Sequence, residues 1–137
     1  MFLGSDEKHK PQNRIDSLIG VGTKIEGNVI FSGGLRVDGG IKGNISEASD
    51  QPSTLVLSEQ ARIEGVIRVS HVVINGAVIG PVHAHEYVEL QSKSRVTGDV
   101  FYKTLEMHVG AIIEGKLVHR EDETAVPSID AEPVVSG

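Results

Sequence analysis

The sequence predicts an all-β chain wound as a parallel solenoid of about six coils, and three observations predict it. A pattern of small, x, aliphatic, x, Gly, x, aliphatic recurs at Thr23–Val29, Gly39–Ile45, Ala61–Ile67, Gly76–Val82, Ser94–Val100 and Ala111–Leu117. Its central glycines, Gly27, Gly43, Gly65, Gly80, Gly98 and Gly115, follow one another at intervals of 16, 22, 15, 18 and 17 residues. Large apolar residues recur at a spacing of two, which puts them on one face of a strand.

The elements follow in chain order. Residues 1–17 read as a flexible tail: Asp6, Glu7 and Asp16 balance Lys8, Lys10 and Arg14, and Pro11 and Asn13 disfavour a helix. Met1, Phe2 and Leu3 form a compact apolar tip, with Lys8 and Lys10 following at some distance. The tip has two readings. It is the start of a disordered tail, or it is a membrane contact in which apolar groups enter the interface and the lysines meet anionic lipid. A single tip of this size binds weakly, so the second reading requires many copies in one assembly.

The solenoid occupies residues 18–119. Aligned on the glycines, one column reads Ile25, Ile41, Ile63, Val78, Val96 and Ile113, and another reads Val29, Ile45, Ile67, Val82, Val100 and Leu117. An upstream pair is aligned as Ile19/Val21, Leu35/Val37, Leu55/Leu57, Val72/Ile74, Val88/Leu90 and Leu105/Met107. A fifth column, Thr23, Gly39, Ala61, Gly76, Ser94 and Ala111, is small throughout and marks corners with no room for large side chains. The β-branched content favours strands over helices. Intervening residues such as Lys24, Glu26, Arg62, Glu64, Arg95, Glu114 and Lys116 are polar and face water. Successive coils are expected about 4.8 Å apart, like residue on like residue. The 22-residue interval contains residues 46–53, SEASDQPS, expected as a surface loop between the second and third coils. Residues 120–137 set Arg120 against Glu121, Asp122, Glu123, Asp130 and Glu132, contain Pro127 and Pro133, and read as a disordered acidic tail.

Composition narrows the function. A net charge of −6 argues against nucleic acid as a partner, because counterion replacement needs a basic face. The absence of cysteine excludes a disulfide framework, a thiol nucleophile and a cysteine-based zinc site, and fits a reducing compartment. No apolar run approaches the roughly 20 residues of a membrane span, and residues 1–17 lack the apolar core of a secretory signal.

No catalytic, cofactor or metal site is expected. His83 and His85 flank Ala84 and could approach a metal together, but no third ligand is evident, and His71, His108 and His119 fall in different columns. Glu26, Glu64 and Glu114 lie at exposed parity, coils apart. Gly33-Gly34 and Gly39-Gly40 lack the Gly-Lys-Ser/Thr of a phosphate loop, so no nucleotide site is visible.

The coil ends are the candidate functional surface. A solenoid end exposes unpaired backbone groups and an open core, and monomeric solenoids cover both with polar caps. Neither tail is amphipathic. The first coil (Ile19, Val21, Ile25, Val29, Phe31) and the last (Leu105, Met107, Ile112, Ile113, Leu117) are as apolar as the middle. These ten residues form the expected self-association interface.

The repeats, carried by segments such as 35-LRVDGGIKGNI-45, 61-ARIEGVI-67 and 94-SRVTGDV-100, resemble the bactofilins, bacterial polymer-forming cytoskeletal proteins, over residues 18–119. The resemblance implies a right-handed parallel β-helix of triangular section and end-to-end polymerisation without nucleotide. It also implies association with the cytoplasmic face of the inner membrane through an N-terminal apolar segment, here Met1, Phe2 and Leu3 with Lys8 and Lys10. Partners would be further copies of the chain, membrane lipid, and cell-wall or polarity proteins held on the filament. Two other classes compete. One is a left-handed β-helix enzyme of the hexapeptide acyltransferase or zinc hydratase type, which needs a strict six-residue beat that coil lengths of 15 to 22 break. The other is a soluble binding module capped by its own tails.

Overall fold

The computed structural model describes residues 14–48 and 51–121. Within them the chain makes six coils of three short strands each. The first coil contains β1 (Ser17–Ile19), β2 (Lys24–Glu26) and β3 (Val29–Phe31); the second contains β4 (Gly34–Val37), β5 (Gly40–Lys42) and β6 (Ile45–Glu47). The third runs through β7 (Thr54–Leu57), β8 (Arg62–Glu64) and the start of β9 (Ile67–Ile74). The fourth takes the end of β9, then β10 (Ala77–Ile79) and the start of β11 (Val82–Leu90). The fifth takes the end of β11, then β12 (Arg95–Thr97) and β13 (Val100–Tyr102), and the sixth is β14 (Thr104–Met107), β15 (Ile112–Glu114) and β16 (Leu117–His119). Among the described residues there is no helix.

Every strand pairing is parallel, and the pairings build three ladders along the stack. One contains β2, β5, β8, β10, β12 and β15, and its register places Ile25, Ile41, Ile63, Val78, Val96 and Ile113 in one column. A second places Val29, Ile45, Ile67, Val82, Val100 and Leu117 in another. In coils two to five both columns are buried to 0–1% exposure. The small column is a corner as well. A Cβ on Gly76 would press on the carbonyl oxygens of Ser58 and Ala61 in the coil below. Gly80, at φ +138, combines the left-handed region with the same closeness, since a Cβ there would meet the Gly65 carbonyl.

The third ladder corrects one alignment. Ile19 pairs with Val37, not with Leu35, and Ser17 opposes Leu35. The column is therefore Ile19, Val37, Leu57, Ile74, Leu90 and Met107. Val21 leaves the core because residues 20–23 form a tight turn closed by Thr23 N–H donating to the Gly20 carbonyl at 3.0 Å. The same turn recurs at Ser58–Ala61, Gln91–Ser94 and His108–Ala111.

Segment 46–53 is less of a free loop than its composition suggests. Ile45, Ser46 and Glu47 remain in the ladder, and Glu47 follows the inward position occupied by Phe31 in the coil below. Its carboxylate accepts from the N–H groups of Ser53 and Ser70, each at 2.9 Å, and from the Ser70 hydroxyl at 2.6 Å. Three donors around one carboxylate make an inward charge tolerable and pin both ends of the excursion.

Candidate functional site

Parallel stacking gives each interior coil a neighbour above and below. Among the described residues, β1, β2 and β3 pair on one side only, and so do β14, β15 and β16. The core columns emerge at both ends. In coil one, Ile19, Ile25, Val29 and Phe31 are half-buried and pack against the core from outside. In coil six, Leu105 and Ile113 are half-buried, while Met107 and Leu117 are 44% and 41% exposed. Ile112 lies in the outward column with Arg95, so it stands on the rim of the last coil and not in its core.

The structure adds rim residues that the core pattern does not reveal. The tips of the four tight turns carry Val21, Glu59, Ser92 and Val109 in coils one, three, five and six. Only the two terminal coils place valine there, 65% exposed at Val21 and 96% at Val109. Leu18 and Ile30, at outward positions of coil one, are exposed too. Met1, Phe2, Leu3, Lys8 and Lys10, expected as the membrane contact, lie outside the described residues.

The histidines are distributed differently from expectation. His83 stacks flat on Phe101 in the next coil, with ring centroids 4.6 Å apart, and the Arg120 guanidinium lies 4.7 Å from the centre of the Phe101 ring. His85 falls in the irregularity of β11 between Ala84 and Tyr87. His108 enters a cluster that column-by-column inspection missed. Its Nε2 lies 3.1 Å from Glu106 Oε2 and 3.2 Å from Glu89 Oε2. Tyr87 Oη reaches the other oxygen of each carboxylate, at 2.8 Å to Glu106 and 3.2 Å to Glu89. Gln91 Nε2 donates to Glu89 Oε2 at 3.1 Å. The Tyr87 hydrogen bond, and then that of His108, hold the Glu106 carboxyl below its ordinary range. Burial first, then the bond to Glu106 and the charge of Glu89, push the Tyr87 phenol well above its own. The signal for this cluster is the 17-residue offset that stacks Glu106 on Glu89.

Six coils in continuous parallel register, whose first and last coils pair on one side only among the described residues, define a β-solenoid. A family model described as Bactofilin, polymer-forming cytoskeletal, matches residues 17–118. The chain belongs to the bactofilin family, a structural family of polymer-forming cytoskeletal proteins, and that membership supports self-association. Comparison with curated proteins and with solved structures gives no significant match.

Proposed function

We propose that this chain stacks end to end, without nucleotide, into filaments that lie on the cytoplasmic face of the inner membrane and position partners such as cell-wall enzymes in cell shape or polarity. The observation that carries the reading is the contrast along single columns. Val37, Leu57, Ile74 and Leu90 are at 0% exposure, and Met107, next in that line, is 44% exposed. A second solenoid placed on this end would continue the ladder and cover the core in one step.

One detail favours contacts between like ends. In head-to-tail stacking Glu26 would follow Glu114 in the outward column of the β2–β15 ladder, putting like charges in register. Contacts between like ends avoid that pairing and give a filament without polarity, in agreement with the family resemblance.

Membrane attachment rests on the apolar tip, and its multiplication along a filament supplies the avidity that one tip lacks. Phe2→Asp is expected to abolish flotation with anionic vesicles while filaments persist; unchanged flotation would remove the tip from the account. The assembly itself is tested by negative-stain microscopy beside sedimentation of purified protein free of nucleotide and metal. Filaments are expected, and a discrete monomer or trimer would overturn the proposal.

A further inference from the structure

We propose that Glu89, Glu106 and His108 form a binding site for one zinc-like divalent cation on the outer face of the last two coils. The site goes beyond the filament reading and does not rest on it.

Glu89 and Glu106 oppose each other directly in the pairing of β11 with β14. Their column reads Leu18, Arg36, Val56, Val73, Glu89 and Glu106, so two carboxylates stack on adjacent coils only here. Like charges directly opposite destabilise a ladder unless something positive lies between them. Lys103, on the same side of the stack, pairs with Glu86 instead, at 3.8 Å.

The hydrogens in the cluster are too few for its contacts. Tyr87 has one hydroxyl hydrogen and meets both carboxylates, and His108 Nε2 carries at most one hydrogen and meets both as well. With its proton on Nε2, His108 shares one hydrogen between two carboxylates; with its proton on Nδ1, the Nε2 lone pair faces the two Oε2 atoms and can join them as a metal ligand. A cation held by Nε2 and the two Oε2 atoms would take up the His108 contacts and leave the Tyr87 hydroxyl shared between the two Oε1 atoms.

The geometry fits such an ion. Ligand atoms from all three side chains lie within 4.8 Å of one another. Nitrogen and oxygen ligands about 2.0–2.1 Å from a tetrahedral zinc stand about 3.3–3.4 Å apart. The two Nε2–Oε2 separations, 3.1 and 3.2 Å, need to open by only a few tenths of an ångström. Outer contacts already orient the ligands: Tyr87 takes the Oε1 atoms of both carboxylates, which turns both Oε2 atoms toward His108, and Gln91 steadies Glu89. An imidazole nitrogen among the ligands selects a zinc-like ion over magnesium or calcium. His108 and Glu106 are open to solvent, so water can complete the coordination. The ion would bridge β11 and β14 and tie the terminal coil to the one beneath it.

The test is calorimetric titration of zinc ion into the untagged full chain near neutral pH, with cobalt ion as the absorbing substitute. One saturable site per chain is expected, with visible cobalt bands of a low-coordinate nitrogen and oxygen environment and a raised thermal midpoint. His108→Gln and Glu106→Gln should each remove saturable binding. Tyr87→Phe should weaken it about 10-fold. His83→Asn should leave it unchanged. Circular dichroism accompanies each variant, and the two ligand variants are read together so that a folding defect in one does not decide the result. Absence of saturable binding in the wild type, binding that survives both ligand variants, or binding lost instead in His83→Asn would overturn the site. Filament formation is scored separately, so failure of the assembly reading leaves this titration intact.

Discussion

Coils two to five and coils one and six are built from the same columns, yet they hold those columns in opposite states. Ile63 and Val78, in the middle, have no exposure, while Leu117 and Met107 at one end, and the half-buried Ile19 and Ile25 at the other, are partly open. The turn tips repeat the contrast, with Glu59 and Ser92 inside the stack and Val21 and Val109 at its ends. An aliphatic column has one structural role when a coil lies on both sides of it and another when a coil lies on one. In the middle it holds the chain together, and at the ends it is the surface that the proposed stacking would cover.

That contrast sets the order of expected effects. Ile63→Asp places an unpaired carboxylate where no water reaches and should cost more than about 4 kcal/mol, enough to unfold the domain. A soluble mutant with the native β-sheet circular dichroism would show that the middle is not sealed. Leu105→Arg and Ile19→Arg put the charge at an open end, where its head can reach water. Both should keep the β signal and lose the polymer, seen as loss of the pelletable fraction. Glu47→Ala leaves the N–H groups of Ser53 and Ser70 without their acceptor, and should lower the urea-unfolding free energy by about 1–3 kcal/mol without changing assembly.

The smallest effect is acid sensitivity. Asp38 is held below its ordinary range, first by its hydrogen bond to Arg36 and then by Ser58, and Glu106 by Tyr87 and then His108. Their contributions are present above the ordinary carboxyl values near about 4 and are lost as pH falls through the lower folded values. Both groups are at the surface, so the urea midpoint should decline only modestly between neutral pH and about pH 3 on their account. A midpoint that rises on acidification would contradict the sign.

The core was legible in the sequence because a spacing of two and a glycine at a fixed offset survive unequal coil lengths. Ile25 through Ile113 and Val29 through Leu117 stand in the columns that spacing predicts. Val21 was misplaced because four of the six coils insert a tight turn after the upstream strand, and an apolar residue at a turn tip imitates core parity. Glu47 was missed because an inward carboxylate is recognisable only once its three donors are placed. The offset of 17 residues that stacks Glu106 on Glu89 was already in the alignment of Val88/Leu90 with Leu105/Met107, but the approach of the His108 and Tyr87 side chains to that pair is visible only once the side chains are placed. The ten expected end residues all fall in the terminal coils. Leu18, Ile30 and Val109, which share those coils, were hidden because outward positions carry no periodic signal.

The most direct test of end-to-end stacking is sedimentation velocity of Leu105→Arg and Ile19→Arg, each with one altered end, beside the wild type. Stacking between like ends predicts a polymer for the wild type and a discrete dimer for each variant, joined through the remaining intact end. Monomers from both variants would keep the stacking but make it head to tail. Polymers from both would rule out end-to-end stacking, because the terminal coils would then not be the surfaces that join.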